Sequence, residues 1–143
     1  MATNCRFAFG VHVMSVLALN PEENFSSETL GHTVNTNPVV IRRLLLDLKE
    51  AGLVETQRGP GGGAKLARCA QEITLAQIYR AASGDIEPFG EHPHQPAQCC
   101  QVGREIKHVL ERVSDSARRA VEAEFEAVSL ADVLTEIKNP MPL

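Results

Sequence analysis

Apolar residues recur at three- and four-residue spacing in several stretches of the chain, separated by clusters of Pro, Gly, Asn and Ser. Phe7, Val11, Met14 and Leu17, with Val13 and Val16 beside them, predict a helix over residues 7–19 that Asn20-Pro21 ends. Ser26-Ser27-Glu28-Thr29 opens a short second helix, which either serine can cap and whose inward positions are Leu30 and Val34. Asn35-Thr36-Asn37-Pro38 reads as a turn, with Pro38 near the first position of a third helix, where a missing N–H costs nothing. From Val39 to Ala51 the buried face is expected at Val40, Leu44 or Leu45, and Leu48, and Gly52 stops the helix. Short helix, tight turn, longer helix is helix-turn-helix spacing.

The next stretch breaks the helical period. Gly52 to Arg68 reads as a helix-capping glycine, a short strand, a glycine-rich tip at Arg58-Gly59-Pro60-Gly61-Gly62-Gly63 and a return strand. Glycine tolerates positive φ at a turn, but four glycines and a proline within five positions exceed what a turn needs. The surplus implies a close approach to something large. With Arg58, Lys65 and Arg68 flanking the tip, a polyanion is the natural candidate. An ordinary exposed hairpin is the competing reading.

Beyond the hairpin, Thr74 caps a helix with Leu75, Ile78 and Ala82 on its apolar face and Gly84 as its stop. Residues 85–101 lack periodicity and read as a loop. Val102, Ile106, Val109, Val113, Ala117, Ala120, Val121, Phe125 and Val128 then trace one seam along a single long helix. Such a helix after a compact head is expected to pair with a second copy, with packing on its own domain as the competing account. Ser129 caps a last helix, 130–137. The expected fold is mainly α with a small β-hairpin wing. Its expected parts are a winged helix-turn-helix head over 1–84, a sensor loop over 85–101, and a dimerisation helix with a C-terminal docking helix over 102–143.

Composition narrows the function. At 143 residues, 43% hydrophobic and without Trp, the chain fits one domain whose core relies on aliphatic side chains. No membrane-length apolar run or signal-peptide pattern occurs, so a soluble cytoplasmic protein is expected, with Met1 to Arg6 mobile. The net charge of −4 argues mildly against indiscriminate nucleic-acid binding. Residues 1–68 hold seven Lys/Arg against six Asp/Glu, and residues 69–143 hold seven against twelve, a distribution that permits a single basic face without establishing one. No Ser/His/Asp or paired-carboxylate spacing appears, and the glycine tip lacks the Gly-Lys-Ser/Thr of a nucleotide loop. An enzyme is not expected.

On a duplex, the third helix would enter the major groove through its N-terminal end. Thr36, Asn37, Pro38, Val39, Arg42 and Arg43 form that end and its outward face. An Arg can address guanine or clamp phosphate, and Val39 can meet a thymine methyl. Ser26 and Ser27 offer helix-terminal N–H groups to phosphate. Arg58, Gly59, Gly61, Gly62, Gly63 and Lys65 would reach the neighbouring minor groove or backbone. Solvated charges and simple capping are the competing accounts, as is a winged helix used for protein contacts.

Five blocks together resemble the Rrf-two family of bacterial winged-helix regulators: Asn35 to Arg43, Leu48 to Val54, Arg58 to Gly63, Leu66-Ala67, and Ile73-Thr74-Leu75. The resemblance spans residues 7–137 and implies a dimeric transcription regulator, most often a repressor, on a near-palindromic operator. It also implies that the long helix crosses its partner. Cluster-binding members resemble one another in three spaced cysteines before that helix. Here the loop carries Cys99 and Cys100 side by side, with His92 and His94 upstream and no third cysteine. No cofactor is expected. Three readings stay open for the loop. Cys99 or Cys100 acts as a redox-sensing thiol at a helix end that favours anions. His92, His94, Cys99 and Cys100 hold zinc or an Fe–S cluster, although His-x-His-x4-Cys-Cys matches no common spacing. Or the cysteines only pack.

Overall fold

The computed structural model describes residues 5–87 and 89–142. The chain folds as a winged helix-turn-helix head followed by one long helix. Its helices are α1 (Cys5–Leu19), α2 (Ser27–Val34), α3 (Pro38–Glu50), α4 (Leu75–Ser83), α5 (Gln101–Ala127) and α6 (Leu130–Lys138). Strands β1 (Val54–Gln57) and β2 (Gly63–Leu66) pair antiparallel with Val54 opposite Leu66 and Gln57 opposite Gly63.

The core of the head is aliphatic, as the scarcity of aromatics requires. Val13, Met14 and Leu17 of α1 meet Leu30 of α2, Ile41, Leu44, Leu45 and Leu48 of α3, and Ile78 of α4. The inward face of α3 is set by Ile41 rather than Val40, which is only half-buried. Each such side chain, fully buried, contributes about 1.5–3 kcal/mol. The mobility expected over Met1 to Arg6 is contradicted at its last two residues. Cys5 and Arg6 belong to α1, and Arg6 pairs with Asp47 of α3 at 2.5 Å. Met1–Asn4 lie outside the described residues.

The last helix returns to the head. The N-caps of α4 and α6, Thr74 and Ser129, form an antiparallel bridge, with Leu130 N–H donating to Ile73 C=O at 2.8 Å and Leu75 N–H to Val128 C=O at 3.0 Å. Both helices begin with reciprocal capping boxes, Thr74 with Gln77 and Ser129 with Asp132. Leu130 is thereby buried in the core of the head.

Helix α5 is different. None of its 27 residues is buried, and Val102, Val109 and Val113 of its apolar seam stand exposed. Its C-terminal end is tied to the head. Phe125 stacks on Phe7 of α1 at 5.0 Å and lies 5.9 Å from Tyr79 of α4, while Arg80 pairs with Glu126 at 3.0 Å. The seam read from the sequence therefore divides: Phe125 serves its own head, while Val102, Val109 and Val113 stand uncovered.

Candidate nucleic-acid interface

The turn between α2 and α3 is closed by backbone contacts that few sequences satisfy. Asn35 adopts a left-handed conformation (φ 63°), a position Asn tolerates better than most side chains. Thr36 N–H then donates to Gly31 C=O at 2.9 Å. A Cβ at Gly31 would sit 3.0 Å from Thr36 O and 3.4 Å from Pro38 Cα, so a larger residue there would push the two helices apart. Asn37 caps α3 by accepting from Val39 N–H at 2.9 Å, and Ser26 caps α2 by accepting from Thr29 N–H at 3.1 Å. Pro38 occupies the first turn of α3.

The wing is anchored to the segment just before α2. Phe25 and Ala64 exchange backbone hydrogen bonds of 3.0 and 2.8 Å, and Asn24 Nδ2 donates to Gly61 C=O at the tip at 3.1 Å. This anchorage explains part of the glycine surplus. Gly63 (φ 144°) lies so close to Phe25 that a Cβ would fall 2.6 Å from its carbonyl oxygen. A Cβ at Gly62 would collide with Gln57 O. The demand for space at these two positions is internal, not made by a polyanion. Gly59 (φ 89°) and Gly61 (φ 75°) face open space and are glycine for their backbone angles.

One connected strip results. It runs from the tip at Gly61 through Asn24, Phe25 and the cap Ser26 to Glu28, and from Glu28 to Arg42 across the two helices. Arg42 Nη2 donates to Glu28 Oε1 at 2.5 Å, both side chains more than half exposed. Glu28 is held below its ordinary value of 4.5, first by its own backbone N–H in the opening turn of α2, then by the Arg42 guanidinium. On the wing Lys65 stands 4.0 Å from Glu55, its cross-strand neighbour. Arg43 and Arg58 are exposed and make no hydrogen bond or ion pair among the described residues. Val39 is 47% exposed beside them. Arg68 points elsewhere, donating to Glu72 C=O at 3.1 Å. Ser27 and Thr36 are half-buried, and the Ser26 hydroxyl is engaged with Thr29. Sequence reasoning missed Glu28 as a partner of Arg42, and Asn24 and Phe25 as anchors of the wing. The spacing of Glu28 and Arg42, 14 residues apart across a turn, carries no local signal.

The loop before α5 folds onto that helix. Gly103 is crossed by the loop so closely that a Cβ would collide with Ala97 O, and Arg104 Nη1 donates to Gln98 C=O at 2.9 Å. Cys99 and Cys100 are thus fixed at the start of α5, and Cys5, Cys69, Cys99 and Cys100 are all exposed and unbridged. A cavity of about 490 Å³ lies between the loop and α5, lined among others by Phe89, His92, His94 and Leu110. The cations on its α5 wall are already neutralised, Lys107 by Glu111 at 3.7 Å and Arg118 by Asp115 at 2.9 Å.

A scan of family models matches residues 3–136 to Rrf2, described as an iron-dependent transcriptional regulator. The chain belongs to the Rrf2 family. YwnA of Bacillus subtilis (strain 168), a candidate HTH-type transcriptional regulator, is 37% identical over 134 residues, covering 94% of this chain and 98% of YwnA. The crystal structure of a candidate DNA-binding protein is 34% identical with a TM-score of 0.71, across 90% of this chain and 98% of that one. CymR, the global cysteine regulator of B. subtilis, shares the fold at 24% identity and a TM-score of 0.68, across 94% of this chain and 97% of that one. Among the described residues no three of His, Cys, Asp and Glu come together as a metal would need, and His92, His94, Cys99 and Cys100 do not converge.

Proposed function

We propose that this Rrf2-family regulator is a homodimer that binds a near-palindromic DNA operator, with α3 in the major groove and the wing against the adjacent backbone or minor groove. One observation carries the reading. Helix α3 buries Ile41, Leu44, Leu45 and Leu48 completely or nearly so, while Val39, Arg42 and Arg43 face outward and the wing is bonded to the same strip. Cations at the N-terminal end of an exposed helix, beside a basic hairpin, match how helix-turn-helix heads meet DNA. The uncovered seam of α5 supports the second copy, because two heads are needed to span two half-sites. The solved DNA-binding likeness and the family both favour DNA over a purely protein-binding winged helix. The family resemblance supports repression, and a cytoplasmic setting is proposed with it. Cys99 and Cys100, exposed at the start of α5, are the proposed point of redox input.

The test begins by selecting a duplex from a random pool with the native protein. Binding is then followed by fluorescence anisotropy. R42A/R43A is expected to lose at least tenfold in affinity with its melting temperature unchanged. Undiminished binding by that variant would remove α3 from the interface. Because Cys5 and Cys69 are exposed as well, the input is tested in a C5S/C69S variant, where alkylation of Cys99 and Cys100 in the bound complex is expected to release DNA.

A further inference from the structure

We propose that Glu28 is a positioning residue for base readout by Arg42. The inference rests on the DNA-binding role proposed above for α3. It starts from an asymmetry between two adjacent cations. Arg43 makes no bond among the described residues, whereas Arg42 is held at 2.5 Å by a carboxylate from the other helix of the motif. An exposed ion pair of this kind adds little to folding, so stability does not account for it well. A negative group on a face meant for phosphate is also unfavourable for affinity. What the pair does supply is orientation. A free Arg must give up rotamer freedom when it docks, and a guanidinium already fixed through one Nη gives up less.

Orientation matters for one kind of contact more than the other. Phosphate is met from many directions, but the two acceptors on the edge of guanine must be met in one plane. The Glu28 bond uses Nη2 of Arg42 and leaves the remaining donors of the guanidinium open. Glu28 is itself anchored at the start of α2, next to the cap Ser26. Arg42, so held, reads a base. Arg43 and Arg58, unheld, grip the backbone.

The experiment measures the ratio of affinities for the selected duplex and a scrambled one, in the native protein, E28Q, R42A and E28Q/R42A. E28Q is expected to lower that ratio about tenfold, mainly by weakening binding to the selected duplex. In the R42A background the same change is expected to leave the ratio where R42A put it. An unchanged ratio in E28Q, with R42A still reducing it, overturns the positioning role alone. An equal drop from E28Q in both backgrounds does the same, since Glu28 would then act without Arg42. If R42A leaves binding to the selected duplex unchanged, the reading of α3 fails and this inference with it. Melting curves of all four proteins separate these outcomes from unfolding.

Discussion

Arg42 and Arg43 are adjacent and chemically identical, yet their surroundings divide their work. Replacing Arg43 or Arg58 with Ala should weaken binding to every duplex alike and reduce the slope of log K against log salt by about one per protomer. Replacing Arg42 should cost about 1–3 kcal/mol on the selected duplex and much less on a scrambled one. Titrations over a range of KCl concentrations distinguish the two patterns. Glu28 also fixes a pH window. Its folded-state pKa lies below the unfolded value, because its backbone N–H and Arg42 favour the carboxylate. The pair is therefore fully present above the ordinary carboxylate range and is lost as pH falls through the lowered value. Sequence discrimination should stay flat from about pH 8 to pH 5 as far as Glu28 is concerned, and binding ratios measured across that range check it.

The wing shows how a local motif takes its meaning from a distant strand. Its glycines are legible as a turn, and the register of β1 and β2 follows from where the turn sits. Nothing near them in sequence announces Phe25, whose backbone fills the space that Gly63 leaves. Gly63→Ala combines an unfavourable φ with a backbone collision, so a loss of about 1–3 kcal/mol is expected. Helical circular dichroism should persist while the melting temperature and DNA affinity both fall. Gly59→Ala meets no atom and should incur only the backbone penalty, about 1 kcal/mol. Similar losses in both variants would mean that the Phe25 contact does not hold the wing.

For the molecule as a unit, the question is what covers α5. Its apolar seam is exposed through Val102, Val109 and Val113, and a soluble helix with that pattern normally meets a partner. Val109→Glu together with Val113→Glu should convert the proposed dimer to monomers in sedimentation velocity runs. The head should still melt cooperatively, because its core draws nothing from that end of the helix. Operator affinity should drop far more than either head alone would lose, as the second half-site is no longer tethered. A native protein already monomeric at micromolar concentration would refute the seam as an interface. The opposite end of α5 is bound to its own head through Phe7, Tyr79 and Phe125, so any movement of the helix is felt at α1 and α4.

Periodicity, caps and breakers were enough to place all six helices and the hairpin, because each is a local property of side-chain spacing and backbone tolerance. Family membership was legible for the same reason: its signature is a run of turns and caps at fixed offsets. Pairings across elements were not. That Ile41 rather than Val40 faces inward depends on the rotation of α3 against its neighbours. Gly63 answers to Phe25, Phe125 belongs to its own head, and Glu28 holds Arg42, all through contacts between residues far apart in the chain. Distance in sequence hides such contacts, and only folding brings the groups close enough for charge and volume to act.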